Sequence, residues 1–322
     1  MSLDHIQLAI SSHMQSVNAV IGESLHSEVP LINQVSQYIV DSGGKRIRPA
    51  LVLLSANLFG EIKPQHHQLA AIIEFIHTAT LLHDDVVDES DMRRGKSTAN
   101  HIFGNAASVL VGDFLYSRAF QMMVKLQSMH VMEILADATN TLSEGEVLQL
   151  LNVRQTDISE QDYLKVIHFK TAKLFEAATR LGAVMSDATD EQELRLAEYG
   201  MRLGTAFQLI DDVLDLSGDS TQIGKKLGND LEEGKPTLPL LYAMQHGDTK
   251  EVALIQDAVV KGDVTQLPAI LQILDATGAL DYVRNVAKKE TSLACAAIAS
   301  FADSDQKKLL QDLADFAVNR QY

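Results

Sequence analysis

The sequence predicts an all-α protein, one large helical bundle with a smaller helical cap at its C-terminal end. Three observations carry this. Apolar residues recur at three- and four-residue spacing through most of the chain, and alternating patterns are scarce. Only 6 Pro and 18 Gly occur in 322 residues, with no Ser/Gly-rich or Pro-rich linker, so one continuous body is expected. Hydrophobic residues make up 46%, enough for a large core.

The helical spacing runs over 3–22, 31–41, 49–59, 66–89, 106–128, 130–152, 160–182 and 190–217. It continues over 236–246, 249–260, 265–276, 278–302 and 305–319. Pro49 fits the first turn of its helix, where a missing N–H leaves no bond unmade. Between Gly218 and Pro236 stand four glycines and many charges, the composition of a loop.

Charge and composition narrow the function. A formal charge of −16 argues against a general binder of nucleic acid or acidic membrane, and 5% aromatics without Trp offer little surface for stacking bases. An anionic substrate stays compatible where the few cations cluster or metal ions reverse the local field. Cys295 is the only cysteine, so no intrachain disulfide forms and a reducing compartment is the simpler reading. The first ten residues lack a basic start and an apolar run, so they do not read as a signal peptide. No apolar stretch approaches the roughly 20 residues that cross a bilayer. A soluble, cytoplasmic protein is expected.

The decisive pattern is acidic and occurs twice, as Asp84-Asp85-Val86-Val87-Asp88 and Asp211-Asp212-Val213-Leu214-Asp215. At about 100° per residue, positions i and i+4 share a helix face, so Asp84 stacks with Asp88 and Asp211 with Asp215. His77, Thr80, Asp84 and Asp88 make one polar stripe on an otherwise apolar helix; Gly204, Gln208, Asp211 and Asp215 make another. Carboxylates near a helix C-terminus oppose the macrodipole, and two helices with the same unfavourable placement point to cations that compensate. Hard oxygen ligands from two such helices suit Mg²⁺ ions and a diphosphate. For a single acidic motif, a solvated helix end is an equally good account.

Basic residues stand close by in sequence. Gly43-Gly44-Lys45-Arg46-Ile47-Arg48-Pro49 is a Gly-Gly turn with three cations just before a helix, a pattern for an anion nest. Arg93-Arg94 follows the first acidic motif closely enough to fold back over it, and a guanidinium grips two phosphate oxygens at once. Lys170-Thr171 lies mid-helix among apolar neighbours, where the lysine either snorkels or reaches into a polar cavity. Lys225 and Lys235 sit in the Gly-rich segment after the second motif, placed to close over an anion.

These segments, taken with Phe207-Gln208-x-x-Asp211-Asp212-x-x-Asp215 and Gly234-Lys235-Pro236-Thr237, strongly resemble the trans-isoprenyl diphosphate synthases in order and spacing from residue 40 to 240. Glu74–Asn100 is most similar to the bacterial octaprenyl diphosphate synthases. The resemblance implies a single domain, with a catalytic core over about 31–240 and a cap over about 241–322, in which the acidic helices face a deep central cavity. It implies a homodimer that extends an allylic diphosphate, farnesyl diphosphate for choice, with isopentenyl diphosphate to a long, octaprenyl, diphosphate for quinone side chains. The product then goes to the membrane, which the protein itself does not span, and nucleic acid is not a partner. Asp84, Asp85, Asp88, Asp211, Asp212 and Asp215 would hold three Mg²⁺ ions on the allylic diphosphate. Arg93, Lys170, Thr171, Gln208, Lys225 and Lys235 would bind that diphosphate; Lys45, Arg48, His77 and Arg94 would bind isopentenyl diphosphate. Asp84, Asp85, Asp88, Asp211 and Asp212 with Lys170 and Gln208 form the implied catalytic set.

Chain length is a steric matter. Ala79 and Thr80 lie one turn below Asp84 and are small, where short-chain members of the family carry blocking aromatics. A growing tail passes them toward Phe120, Met122 or Met123, and Met123 is the expected floor. Three other readings stand beside this one. A class I terpene cyclase would not need the cations at 45, 48 and 94. A non-catalytic subunit of a heteromeric synthase would lack one acidic motif. A carboxylate-rich di-metal bundle would need two Glu-x-x-His pairs, of which Glu74 and His77 supply one.

Overall fold

The computed structural model describes residues 3–41, 43–93, 95–217 and 227–320, and the described residues are overwhelmingly helical. The helices are α1 (Leu3–Ala9), α2 (Ser11–Leu25), α3 (Pro30–Asp41), α4 (Ile47–Asn57), α5 (Pro64–Val87) and α6 (Ala99–Phe103). Next come α7 (Asn105–Lys125), α8 (Met129–Asn152), α9 (Glu160–Ile167), α10 (Lys173–Val184) and α11 (Asp190–Ser217). The chain ends with α12 (Asn229–Glu232), α13 (Leu238–His246), α14 (Thr249–Lys261), α15 (Leu267–Thr277), α16 (Ala279–Ala297) and α17 (Asp305–Asn319). Among the described residues the only sheet is an antiparallel ribbon, β1 (Met92–Arg93) with β2 (Lys96–Ser97), in the register Met92 with Ser97.

The helical spacing read from the sequence places α11 and α17 at their observed bounds and most others within two residues. It joins α1 to α2, whereas the chain breaks at Ile10, whose side chain is buried and is followed by two serines that favour helix starts. It also runs α9 into α10 as one helix. A π turn, His168–Ala172, interrupts them. The ribbon, α6 and α12 are too short for any periodicity to register. Of the expected loop over 218–236, residues 218–226 lie outside the described residues, and α12 occupies part of the remainder.

The described residues form two compact units, each assembled from separated stretches of chain. The first comprises Met1–Thr139, Leu174–Gly200 and Ala297–Leu313. At its centre α5 packs against α2, α4 and α7. Leu69, Ile72, Ile73, Ile76 and Leu82 of α5, with Leu51 to Leu54 of α4, are wholly buried. Burial over most of its surface explains why α5 reads as apolar on all but its one polar stripe. Gly182 lets α10 touch α4 backbone to backbone, since a Cβ there would lie 2.8 Å from the Ala56 nitrogen.

The second unit comprises Asn140–Lys173, Met201–Ala296 and Ala314–Tyr322. Leu216, Leu231, Leu240, Ile255, Val259, Ile270 and Leu274 make one of its clusters. Tyr163, Ile167, Leu209, Ile210, Val213, Leu238 and Val283 make another, which packs α9 and α13 against the second half of α11.

The start of α5 is fixed by a buried histidine. His66 Nδ1 accepts the Lys63 backbone N–H at 2.9 Å, so its proton is on Nε2, which donates to Ser186 Oγ at 3.1 Å. Burial and the neighbouring Lys63 charge lower its pKa from the ordinary value, so the folded state favours the neutral ring. Such a group contributes its full stability above its unfolded pKa, about 6.5, and loses it as pH falls from there toward the lowered folded-state value. His66→Gln should therefore destabilise by ~1–3 kcal/mol at neutral pH. Calorimetry across about pH 8 to 5 should show the gap between parent and variant narrowing on acidification.

Candidate functional site

In the first unit, α5 presents His77, Thr80 and Asp84 as the half-buried stripe expected of a polar line on an apolar helix. Asp84 and Asp85 fill its last turn, and Asp88 is the C-cap, with its N–H bonded to the Asp84 carbonyl at 2.8 Å. Beyond the helix the ribbon turns the chain back, and Arg93 Nε donates to Asp85 Oδ1 at 2.7 Å. Asp85 is 1% exposed, so this guanidinium compensates a carboxylate that burial would otherwise disfavour. Asn100 Nδ2 donates to the carbonyls of Asp85 and Ser90 at 3.1 and 3.3 Å, tying the last turn of α5 to the chain that leaves it. Thr98 Oγ1 donates to Ser90 and Tyr38 OH to Ser97, each at 2.6 Å, and together they hold the ribbon in place.

The Gly-Gly turn behaves differently from a uniform cluster of cations. Arg46 adopts a left-handed backbone, φ 50°, at the N-cap of α4, and its side chain donates to Glu74 Oε1 at 2.6 Å. That ion pair anchors the turn to α5. Arg48 Nη1 lies 3.0 Å from His77 Nε2, and its guanidinium sits 4.8 Å from the centre of the Phe175 ring. A guanidinium only donates, so Nε2 accepts and His77 carries its proton on Nδ1. Lys45 is on the same turn, its carbonyl bonded to Gln7 Nε2 at 3.3 Å. Arg94 lies outside the described residues.

Of the chain-length candidates, Ala79 and Met123 are fully buried and Thr80 is half-buried, with its hydroxyl bonded to the His77 carbonyl. Phe120 is 41% exposed, which removes it as a floor.

In the second unit the acidic end of α11 is supported by a connected set of donors. Asp212 accepts Gln208 Nε2 on Oδ1 at 2.9 Å and the Tyr163 hydroxyl on Oδ2. Gln208 Oε1 in turn accepts Thr171 Oγ1 at 3.0 Å. Thr171 and Lys170 project from the π turn, and Lys170 Nζ pairs with Glu146 Oε2 at 2.6 Å. Of the two readings open for Lys170 in sequence, the ion pair favours the polar one. Gly145 makes the approach feasible, because a Cβ there would stand 2.6 Å from the Lys170 nitrogen.

Asp211 Oδ1 pairs with Arg320 Nη2 at 2.6 Å; Arg320 is buried, lies 3.8 Å over the Phe207 ring and also donates to the Phe207 carbonyl. Asp215 accepts the backbone N–H groups of Asn229 and Asp230 at 3.1 and 3.2 Å and so caps α12. Lys235 Nζ pairs with Glu233 at 2.5 Å, and its N–H donates to the Asp230 carbonyl. Lys225 lies outside the described residues.

Burial first, then the charge of Asp230, pushes the Asp212 pKa up to about 8 against the two hydrogen bonds that favour its charged form. Burial and Asp212 push the Tyr163 phenol up as well, so the hydroxyl keeps its proton and donates it. A carboxylate so crowded by negative charge is one that a divalent cation stabilises. Among the described residues no three His, Cys, Asp or Glu side chains stand together as a ligand set. Mg²⁺ fits this arrangement better than it fits a protein cage, since it commonly binds through one or two carboxylates plus substrate phosphates and water.

Glu146, Tyr163, Arg320, Asn100 and Tyr38 escaped the sequence reading. Gly145, a lone glycine inside a helical pattern, was the one available signal for the Glu146 contact. The others are joined to their partners across distances in sequence that local patterns do not report.

The polyprenyl synthetase family model matches residues 29–276 of this chain. The chain is 52% identical over 321 residues to octaprenyl diphosphate synthase of Escherichia coli strain K12, covering 99% of each. It is 51% identical over 323 residues to octaprenyl diphosphate synthase of Haemophilus influenzae, covering 100% of this chain and 98% of that one. The solved structure of polyprenyl synthase from Caulobacter crescentus, complexed with calcium and isoprenyl diphosphate, matches with a TM-score of 0.96 at 41% identity, covering 100% of this chain and 98% of that chain.

The contact at Gly145 yields a test of the second unit's site. Gly145→Ala should displace the π turn and break the Lys170–Glu146 pair. Turnover should fall by ~100-fold, as expected for ångström-scale misplacement of a binding group. Circular dichroism should show the helical content unchanged.

Proposed function

This chain belongs to the polyprenyl synthetase family, and from that premise we propose that it extends farnesyl diphosphate with successive isopentenyl diphosphates to octaprenyl diphosphate, a precursor of quinone side chains. The family activity is prenyl transfer, condensing an allylic diphosphate with isopentenyl diphosphate, and the chain is a prenyltransferase. The observation that carries the octaprenyl length is the 52% identity, over 99% of both chains, to an octaprenyl diphosphate synthase. The small Ala79 and Thr80 beneath Asp84 agree with it, because they leave α5 without an aromatic block.

We assign Asp84, Asp85 and Asp88, and Asp211, Asp212 and Asp215, to Mg²⁺. The divalent ion and diphosphate in the Caulobacter crescentus structure support the choice of ion class. Three ions agree with six carboxylates held by few, separate donors. Bound there, Mg²⁺ supplies the charge neutralisation that lets diphosphate leave an allylic carbon. The chain's own residues do the rest. Arg93, Lys170, Thr171, Gln208, Lys225 and Lys235 hold the allylic diphosphate, and each ion pair to Glu146 or Glu233 keeps a lysine oriented until the anion arrives. Lys45, Arg48, His77 and Arg94 hold isopentenyl diphosphate, with Arg48 fixed against His77 and Phe175. The isopentenyl double bond attacks the allylic cation, and the proton lost leaves with the departed diphosphate, so no nucleophilic side chain is needed.

We further propose a homodimer in the cytoplasm. On α7, Val109, Leu110, Phe120 and Val124 are 37%, 66%, 41% and 63% exposed, on a side of the helix that also carries the exposed Asp113 and Ser117. Exposed apolar side chains clustered among polar ones suit an interface, and a second copy supplies the cover. No helix among the described residues is long and apolar enough to cross a membrane.

The protein incubated with Mg²⁺, farnesyl diphosphate and labelled isopentenyl diphosphate should give, after dephosphorylation, a product ladder ending at octaprenol. An absence of elongation would overturn the activity, and a ladder ending elsewhere would overturn the length. In the same assay Met123→Ala should lengthen the products and Thr80→Phe should shorten them. Unchanged ladders would remove these residues from the tunnel.

A further inference from the structure

Tyr163 belongs to no acidic or basic motif, yet its hydroxyl is bonded to the buried member of the second acidic set. The phenol ring sits in the apolar cluster with Ile167, Leu209, Val213 and Leu238 and is 7% exposed; Asp212 is 3% exposed. Its hydroxyl donates to Asp212 Oδ2, while Gln208 Nε2 donates to Oδ1 at 2.9 Å. The phenol has one proton to give, and Asp212 receives it.

Two donors from different helices, one on each oxygen, fix the plane of the Asp212 carboxylate. Rotation of that carboxylate breaks both bonds at once, so the lone pairs that remain point in a set direction. A hard cation is sensitive to that direction, and the partners that orient a ligand typically govern affinity by ~10–100-fold. Gln208 lies within a motif of the family. Tyr163, on α9, reaches the same carboxylate from outside it.

We propose that Tyr163 is a positioning residue for the metal chemistry, its hydroxyl setting the orientation in which Asp212 accepts a divalent cation. The proposal rests on the prenyltransferase reading above and deepens it.

The test is Tyr163→Phe, which keeps the ring and removes the donor. The Mg²⁺ concentration giving half-maximal elongation should rise ~10–100-fold, with the maximal rate reached at high Mg²⁺ reduced less. Without turnover, Mn²⁺ titrated in the presence of inorganic diphosphate and followed by electron paramagnetic resonance should bind more weakly by the same factor. A second variant guards against misfolding from the unpaired carboxylate. Tyr163→Phe combined with Asp212→Asn should bind Mn²⁺ no more weakly than Asp212→Asn alone, because the hydroxyl acts through that carboxylate. A tie that merely joined α9 to α11 would lower the melting temperature and leave Mg²⁺ dependence and Mn²⁺ binding at parental values; that result overturns the proposal. A parent that elongates while the variant keeps its Mg²⁺ dependence removes the role of Tyr163 alone. A parent that does not elongate removes the prenyltransferase reading with it.

Discussion

A carboxylate at the C-terminal end of a buried helix is disfavoured twice, and both acidic sites are organised around that fact. The macrodipole opposes it by ~0.3–1 kcal/mol, and burial without a partner by several kcal/mol more. α5 and α11 place aspartates there nonetheless, and the buried Asp85 and Asp212, as well as the more exposed Asp211, are each met by a donor. Arg93 reaches Asp85 across the β1–β2 ribbon. Arg320 reaches Asp211 from the last described position of the chain. Gln208 and Tyr163 meet Asp212 on its two oxygens. The ribbon and the end of the chain beyond α17 each deliver a donor of this kind, and the π turn supports Gln208 through Thr171, so much of the irregular structure answers to the placement of the acids.

The donors do not remove the electrostatic problem. Asp212 remains crowded by Asp230 and Asp211 after both its hydrogen bonds are counted. Stability alone would favour a second cation or an apolar replacement at such a place. A site that takes its positive charge from ions arriving with a diphosphate has a reason to stay short of protein cations. The acidic motifs are held in shape by neutral donors and single guanidinium groups, which leave Asp212 short of positive charge.

What the sequence made legible follows from the range of each interaction. Helix spacing is local, and α11 and α17 lie where the periodicity puts them. The acidic and basic motifs are local too, and the six aspartates and Gln208 stand on or at the ends of the helices expected of them, whereas Arg93 lies in the ribbon and Lys170 and Thr171 in the π turn that the spacing does not register. Which cation meets which acid is not local. Arg46 reads as one of three equivalent cations, but a left-handed backbone and a pair with Glu74 make it the anchor of its turn. Asp215 reads like its neighbours, yet its carboxylate caps α12. Tyr163 reads as an ordinary core aromatic, which its ring is; only the partner of its hydroxyl sets it apart.

The π turn shows how a small irregularity serves the site. One extra residue in a turn, inserted between α9 and α10, weakens the helical ladder and persists where something holds it. Here three contacts do. Gly145 gives the room, Glu146 takes the Lys170 ammonium, and Gln208 takes the Thr171 hydroxyl. A regular helix over the same residues would shift Lys170 and Thr171 by about 100° relative to one of its flanks, and those contacts could not all form. Thr171 leads through Gln208 to Asp212, so the turn's geometry and the carboxylate's orientation are set together. The π turn that carries Lys170 and the carboxylate of Asp212 are thereby kept in register by one hydrogen-bonded chain within the second unit.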